Sequence, residues 1–453
     1  MLRSFVLAGA VLAAAVSAQG TAAPSATQQD LAVAVDAFVC DTWSNDSPDR
    51  LVALLRDANV DATALESMLR AGRPSYPEVT VARGQLSARL PLQSDHLDHA
   101  TEHYVYVPKT YDAGKAHPLL VVGHGGSAAR DLDFGARAAR AGLTPFWLEA
   151  AERHGFLVVA PLTNRGWMQI GTSMLFSAIA LMQREFHVDP DRVFLTGHSM
   201  GGHLTWRSAF WFADRWAAVS PMSGGYDYVK SGDVFNLANV RGFATCGEEE
   251  PYQIREFNET ISKWMGERGY PWSFAVVPGG HEIFPAQVAR IAEAFVGCRR
   301  DLYQQRVWAR VGALRFEAAE SNPKWNKSHA WTRGRPLDLS TAHWLRFCDV
   351  PEDTPAEKHV QKVFGEVKSG NRIELNCEHV RRIRILLHPR MVDFAAPVTI
   401  VANGEVAFEG TVQPDLASML RLVREYSDRG RVFWTSIEIQ VEGDREVEAP
   451  RLD

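Results

Sequence analysis

Between residues 100 and 278 the chain carries seven short apolar runs: HYVYV (103–107), PLLVVG (118–123), FLVVAP (156–161), RVFLTG (192–197), WAAVSP (216–221), GFATCG (242–247) and SFAVVP (273–278). Each is closed by Gly or Pro, and helical stretches separate most of them. A strand that alternated apolar with polar residues would face water on one side. These runs do not alternate, so their strands must be covered on both faces, which requires a mostly parallel sheet with helices packed above and below. The amphipathic stretch PAQVARIAEAFVG (285–297) closes this pattern near residue 298.

At 453 residues the chain exceeds what one hydrophobic core usually serves, and its character changes on either side of the apolar series. After 300, RIRILL alternates, APVTIVANGEVAFEGTV is two strands joined at an Asn403-Gly404 turn, and RVFWTSIEIQV is one long alternating strand. A single helix interrupts them, with Leu416, Met419, Leu420 and Val423 on one face. Before 76 there are two helical patterns. In the second, Asp61 or Thr63 can cap, Glu66 completes a capping box with Thr63, Leu65, Met68 and Leu69 form the apolar stripe, and Gly72 ends the helix. This short region is expected to pack on the main domain or to cover its site.

The first eighteen residues, MLRSFVLAGAVLAAAVSA, place Arg3 before an apolar run from Phe5 to Val16, with Val16 and Ala18 at the small-residue positions of a cleavage site. The run is too short to span a bilayer, so it reads as a leader and the protein as secreted or periplasmic, without stable membrane insertion. The expected division is therefore 1–18 leader, 19–75 helical region, 76–300 α/β domain and 301–453 mainly β domain. A net charge of -6 with no basic run gives no electrostatic reason to expect nucleic acid as a partner. Of the five cysteines, Cys348 and Cys377 are near enough in sequence to pair, Cys246 reads as an inert buried thiol, and none has metal-site spacing. The sequence carries no mark of an oligomeric state.

The end of the fourth apolar run leads into TGHSMGG (196–202), which centres Ser199 in a GxSxG pattern. A chain of this length meets that pattern by chance roughly once in seven sequences, so its surroundings must decide. RVFLTG supplies a strand before it and MGGHLTWRSAFWF a helix after it, the context of a nucleophile held on a tight strand-to-helix turn. A serine hydroxyl needs a histidine to take its proton, and the histidine needs a carboxylate to fix its tautomer. The next two strands end in GEEEP and PGGHEIFP, in the order acid then base. His281 is the expected base. Glu250 is the first choice of acid, Glu249 the second, and Glu248 and Asp227 remain alternatives. The glycine loop HGGS after PLLVVG and the first amide of the helix are placed to donate to an oxyanion, from the N–H of Gly126, or less favourably Ser127, and that of Met200.

Taken together, HVDPDRVFLTGHSMGG, RWAAVSPMSGG, HGGS and PGGHEIFP resemble the secreted α/β-hydrolase esterases of the poly(3-hydroxybutyrate) depolymerase and feruloyl esterase kind, and also the catalytic domains of prolyl-oligopeptidase-type peptidases. The resemblance covers about residues 100 to 298. It implies an α/β-hydrolase fold, a small or polymeric ester substrate, possession of a Ser199–His281 pair, and no metal or organic cofactor. The family's acid is usually an Asp three residues beyond the strand-end glycine; counted from Gly247, that position holds Glu250, whose longer side chain has to sit further back. The short helical region before the domain, where the peptidases carry a large propeller, favours an esterase over a peptidase. A third reading, a non-catalytic polymer-binding protein, has to explain away the complete nucleophile, base and oxyanion loop.

Among the remaining residues, Trp167 in TNRGWMQIG is placed to stack on or cover the substrate, or else to pack, whereas His124 and His198 read as loop braces. Trp325, Trp331 and Trp344 read as packing at the start of the β domain or as a polymer-binding surface. Sequons begin at Asn45, Asn258 and Asn326.

Overall fold

A computed structural model of the chain describes residues 27–452, apart from 43, 94–99, 127–131, 164–165, 168, 226–230, 252, 312–339 and 350–359. The leader, Ser127, Asp227, Trp325, Trp331 and Asn326 lie outside the described residues.

The seven apolar runs supply seven strands of one eight-stranded sheet, whose first strand precedes them. In chain order these are β1 (Leu90–Gln93), β2 (Ala100–Tyr106), β3 (His117–Gly123), β4 (Leu157–Leu162), β5 (Val188–His198), β6 (Ala218–Met222), β7 (Gly242–Gly247) and β8 (Trp272–Val277). Their order across the sheet is β1-β2-β4-β3-β5-β6-β7-β8. β1 and β2 are antiparallel, and β3 to β8 all run parallel. That arrangement is the α/β-hydrolase fold.

The two faces explain why the runs do not alternate. In β3, Leu119 and Val121 face one core while Leu120 and Val122 face the other, and β4 and β5 divide their residues the same way. The first core is closed by α6 (Gln169–Glu185), α7 (Met200–Trp211) and α8 (Ile254–Gly266). The second is closed by α4 (Leu132–Gly142), α5 (Leu148–His154) and α9 (Pro285–Val296).

Ahead of the sheet lie three helices where the sequence indicates two: α1 (Gln28–Cys40), α2 (Asp49–Asp57) and α3 (Ala62–Arg70). Asp61, not Thr63, caps α3, accepting from the Ala64 N–H at 2.8 Å. Glu66 makes no capping box. Its carboxylate reaches Arg70, His388 and the Trp434 indole instead, so long-range partners outcompete the local one. Gly72, at φ +85°, turns the chain away as expected.

The C-terminal part contains a four-stranded sheet and a five-stranded sheet. The strands are β9 (Arg306–Val311), β10 (Thr341–Ala342), β11 (Leu345–Phe347), β12 (Gln361–Lys368), β13 (Arg372–Glu378), β14 (Arg382–Leu387), β15 (Val398–Ala402), β16 (Glu405–Gly410) and β17 (Thr435–Gln440), with α10 (Leu416–Tyr426) before the last. The two sheets share one core. Trp344 lies at its centre with no exposed surface, and Gly365 of β12 leaves room for it, since a Cβ there would stand 2.5 Å from the indole. Only the second half of RVFWTSIEIQV is strand; Val432 and Phe433 are fully buried before it. All five cysteines are free thiols, Cys348 and Cys377 included. Asn45 is exposed, whereas Asn258 is fully buried and donates to the carbonyls of Gly224 and Ile254. Among the described residues no helix is long and apolar enough to cross a membrane.

The N-terminal helices do not cover the nucleophile. They pack on α10, where Leu31, Val35, Leu55, Leu65 and Leu69 meet Leu416, Met419, Leu420 and Val423. Polar contacts then tie the three parts together. Arg70 of α3 donates to Asp191 of β5, Tyr303 and the Gly430 carbonyl. Asn239 pairs both its amide groups with the backbone of Trp308, and Asn236 does the same with Arg310, so two side chains run alongside β9 as a neighbouring strand would. At the junction, Arg300 bonds Asp428 at 2.6 Å and Asp191 at 3.0 Å, and Arg431 bonds Asp214 at 2.8 Å.

Burial alone would raise the Asp428 carboxyl, but Arg300, Arg215 and Arg431 around it hold the group far below the usual Asp range. The stabilisation this carboxylate supplies is therefore full above the ordinary Asp range and disappears only as the pH falls through the lowered value. Replacing Asp428 by Ala strands buried guanidinium groups and should cost about 3–5 kcal/mol. Urea unfolding at neutral pH measures this, and the difference from wild type should shrink in strong acid; identical midpoints at neutral pH would contradict it.

Candidate active site

The turn between β5 and α7 carries Ser199 at φ +57° and ψ -118°, a region a side chain occupies only when its surroundings hold it there. The flanking glycines are what make it possible. A Cβ on Gly201 would lie 2.0 Å from the Gly123 carbonyl oxygen, and one on Gly197 would lie 2.6 Å from it. The backbones of β3, β5 and α7 thus cross with no space between them. The turn is pinned as well, by the Ser199 N–H donating to Met222 of β6 at 3.0 Å.

His281 approaches from the loop after β8. Its Nε2 stands 2.8 Å from Ser199 Oγ, and its Nδ1 stands 2.6 Å from Glu250 Oε2. Gly247 and Gly280 let the acid and base loops touch, because a Cβ on Gly247 would lie 2.2 Å from the Gly280 carbonyl oxygen. Backbone bonds from Glu248 to Val277 and from Glu249 to Gly279 lock the two loops together. The side chains of Glu248 and Glu249 are left exposed. The Glu250 carboxylate has no exposed surface, and its other oxygen accepts from the Gly247 N–H at 3.1 Å. The extra methylene of Glu is accommodated by this fold-back onto its own loop. Burial pushes the Glu250 carboxyl up, but the bonds from His281 and the Gly247 N–H outweigh it and hold the group below its ordinary value, so it is ionised at neutral pH. With an anion accepting at Nδ1, that nitrogen carries the proton, and Nε2 presents its lone pair to the serine.

His198 lies beside His281, their ring centroids 4.7 Å apart. Burial first, and His281 second, push its pKa down to about 4, so it stays neutral and does not compete as a charge next to the imidazole.

The glycine loop passes close to the nucleophile, since a Cβ on Gly125 would come within 3.4 Å of Ser199 Cβ. Gly126 has φ +112°, and a Cβ there would strike the Phe134 ring at 2.3 Å. The loop is oriented by His124. The Thr163 N–H donates to His124 Nε2 at 3.1 Å, which leaves the proton on Nδ1, and Nδ1 donates to the Gly125 carbonyl at 2.7 Å. Burial lowers the His124 pKa and keeps the ring neutral. In a trans peptide the carbonyl and the following N–H point in opposite directions, so a bond that fixes Gly125 C=O also fixes the direction of Gly126 N–H. The N–H of Met200 is the first of α7 and has no carbonyl within the helix to bond.

Of the two roles open to Trp167, the structure gives it packing and not substrate contact. It is 2% exposed, its indole N–H donates to the His124 carbonyl at 2.9 Å, and its ring stands edge-on to His124 at 4.9 Å. It braces the glycine loop from within the core and offers a substrate almost no surface. The signal for this lies in the pairing with His124, which a linear reading cannot supply.

No family profile matches the chain. Over 84 residues it is 36% identical to a bifunctional acetylxylan esterase/xylanase of Neocallimastix patriciarum, which is 17% of this chain and 12% of that protein. Over 130 residues it is 28% identical to a protein of Aspergillus terreus named probable feruloyl esterase C, covering 27% of this chain and 46% of that one. The chain thus spans less than half the length of these curated relatives. Solved structures similar to it include a thermostable esterase at 21% identity and a TM-score of 0.38, covering 47% of this chain and 63% of that one. A ferulic acid esterase aligns at 18% identity and a TM-score of 0.39, covering 47% and 97%.

A hydroxyl placed this way should react with an electrophile that mimics an acyl centre. A fluorophosphonate probe is expected to label Ser199, and His281→Gln should slow the labelling by about a thousandfold or more. His124→Phe, which releases the glycine loop, should slow it about tenfold to a hundredfold. Time courses read by intact mass measure both; unchanged labelling in His281→Gln would separate the serine's reactivity from the imidazole.

Proposed function

We propose that this protein is a serine hydrolase that cleaves carboxylic esters through an acyl-enzyme. The observation that carries the reading is the chain of short contacts from Ser199 Oγ to His281 Nε2 and from His281 Nδ1 to Glu250, next to a glycine loop held in one orientation.

In this reading Ser199 attacks the ester carbonyl while His281 takes its proton. Glu250 holds the imidazole in the required tautomer and stabilises the imidazolium that forms. The carbonyl oxygen becomes an oxyanion, which accepts from the N–H groups of Met200 and Gly126, each worth about 3 kcal/mol of barrier. His281 then returns the proton to the departing alcohol, and a water activated by the same imidazole releases the acyl group. These transfers need no metal or organic cofactor.

The relatives' names point the substrate search toward acetyl and feruloyl esters carried on polysaccharide, with polyesters as the comparison. Export belongs to the same reading and is supported by the leader-like residues 1–18. The chain division at 76 and 300 is likewise proposed, with residues 76–300 carrying the chemistry.

Ser199→Ala should reduce hydrolysis of p-nitrophenyl acetate to background while leaving the circular dichroism spectrum unchanged. Activity near wild type in that variant would refute the assignment. Acetylated xylan, methyl ferulate and a polyester film, tested in parallel, would then rank the substrates, and a peptide substrate cleaved faster than any of them would move the reading to a peptidase.

A further inference from the structure

The carbonyls of His124 and Gly125 set the directions of the Gly125 and Gly126 amides that follow them, and each accepts from a side chain. Gly125 accepts from the His124 ring at 2.7 Å, and His124 accepts from the Trp167 indole N–H at 2.9 Å. The His124 ring is wedged in turn. A Cβ on Gly135 of α4 would stand 3.1 Å from it, and the Trp167 ring lies edge-on to it.

Trp167 stands in the connection between β4 and α6, outside the regular elements, yet its carbonyl is held from α7. Arg207, two turns beyond the nucleophile on that helix, donates from Nη1 to the Trp167 carbonyl at 2.9 Å, and the Thr172 hydroxyl reaches the same oxygen at 3.4 Å. Arg207 is 8% exposed, with its guanidinium 5.7 Å from the centre of the Trp211 ring. Enclosing a guanidinium is costly, and an apolar side chain of similar length would fill the space without that cost. What the arginine adds is closure of a circuit. One arm is α7 itself, whose first amide is that of Met200; the other runs from Arg207 through Trp167 and His124 to Gly125, and so to the N–H of Gly126. The contact of Gly123 with Gly201 closes the base.

We propose that Arg207 and Trp167 are positioning residues that set the separation and direction of the Gly126 N–H relative to the Met200 N–H. This rests on the reading above, in which the oxyanion of an ester is held between those two amides. Both side chains are buried, and neither gives or takes a proton. Their effect is geometric, because a donor turned off the line to its acceptor weakens steeply and a loop free to turn would lose part of the stabilisation that a fixed one supplies.

The test is the cleavage of p-nitrophenyl acetate and of its thiono analogue, in which sulfur replaces the carbonyl oxygen and accepts hydrogen bonds only weakly. Trp167→Phe keeps a ring and removes the indole N–H, and Arg207→Met keeps the length and removes the donor. In each variant kcat/KM on the oxygen ester should fall about tenfold while that on the thiono ester falls no more than about twofold, with melting temperatures measured alongside. The double variant should lose no more than the worse single one, because the two residues act in series. If Arg207→Met does not fold, Arg207→Gln takes its place. A ratio of oxygen to thiono ester equal to that of wild type, whether the rates hold or fall together, would overturn this inference and leave the hydrolase reading standing, and so would losses that multiply in the double variant. A wild-type protein inert toward both esters would overturn the hydrolase reading and this inference with it.

Discussion

The whole site depends on a backbone crossing. Gly123 of β3, Gly197 of β5 and Gly201 of α7 approach so closely that one added carbon would strike the Gly123 carbonyl. This contact lets Ser199 stand at φ +57° with its hydroxyl clear of the sheet. It also brings the glycine loop after β3 within reach of that hydroxyl. The next layer out repeats the device, with Gly247 against Gly280 joining the loops of Glu250 and His281. Rigid strands supply the precision, and paired glycines let their ends converge.

Much of this was legible from the sequence, for a physical reason. Strands buried on both faces leave an unbroken apolar run, so β2 to β8 could be read strand by strand, and the order serine, acid, histidine put three distant stretches at one edge. The C-terminal sheets were harder. RIELNCE does alternate, but RVWARV is covered on both faces, with Trp308 in the core of the larger sheet, and QKVFGEVK carries Gly365 in mid-strand because Trp344 needs its space, and no local rule announces either. The Asp61 cap and Gly72 stop of α3 were visible, while Glu66, four residues before Arg70, gave no hint that His388 and Trp434 would claim it.

Buried charge was the least legible feature. Arg300, Arg431, Asp214 and Asp428 read as surface residues by type, yet all are almost wholly enclosed where the hydrolase sheet, the β-rich part and the loop after α10 meet. Such a network gains little over an apolar contact in free energy, but a misaligned docking leaves bare charges, so it penalises every other arrangement. The N-terminal helices join the same junction through Arg70 and rest on α10, hundreds of residues later in the chain. The first and last parts of the polypeptide therefore become ordered against each other.

Asn236 and Asn239 lend β9 two amide groups in place of a neighbouring strand. A fragment cut free near residue 300 would lose that cover and present a bare row of backbone donors and acceptors, the template on which another copy can add a strand. In the intact chain Asn236 and Asn239 fill that edge, and any attempt to graft the β-rich part elsewhere has to bring a substitute for those two side chains.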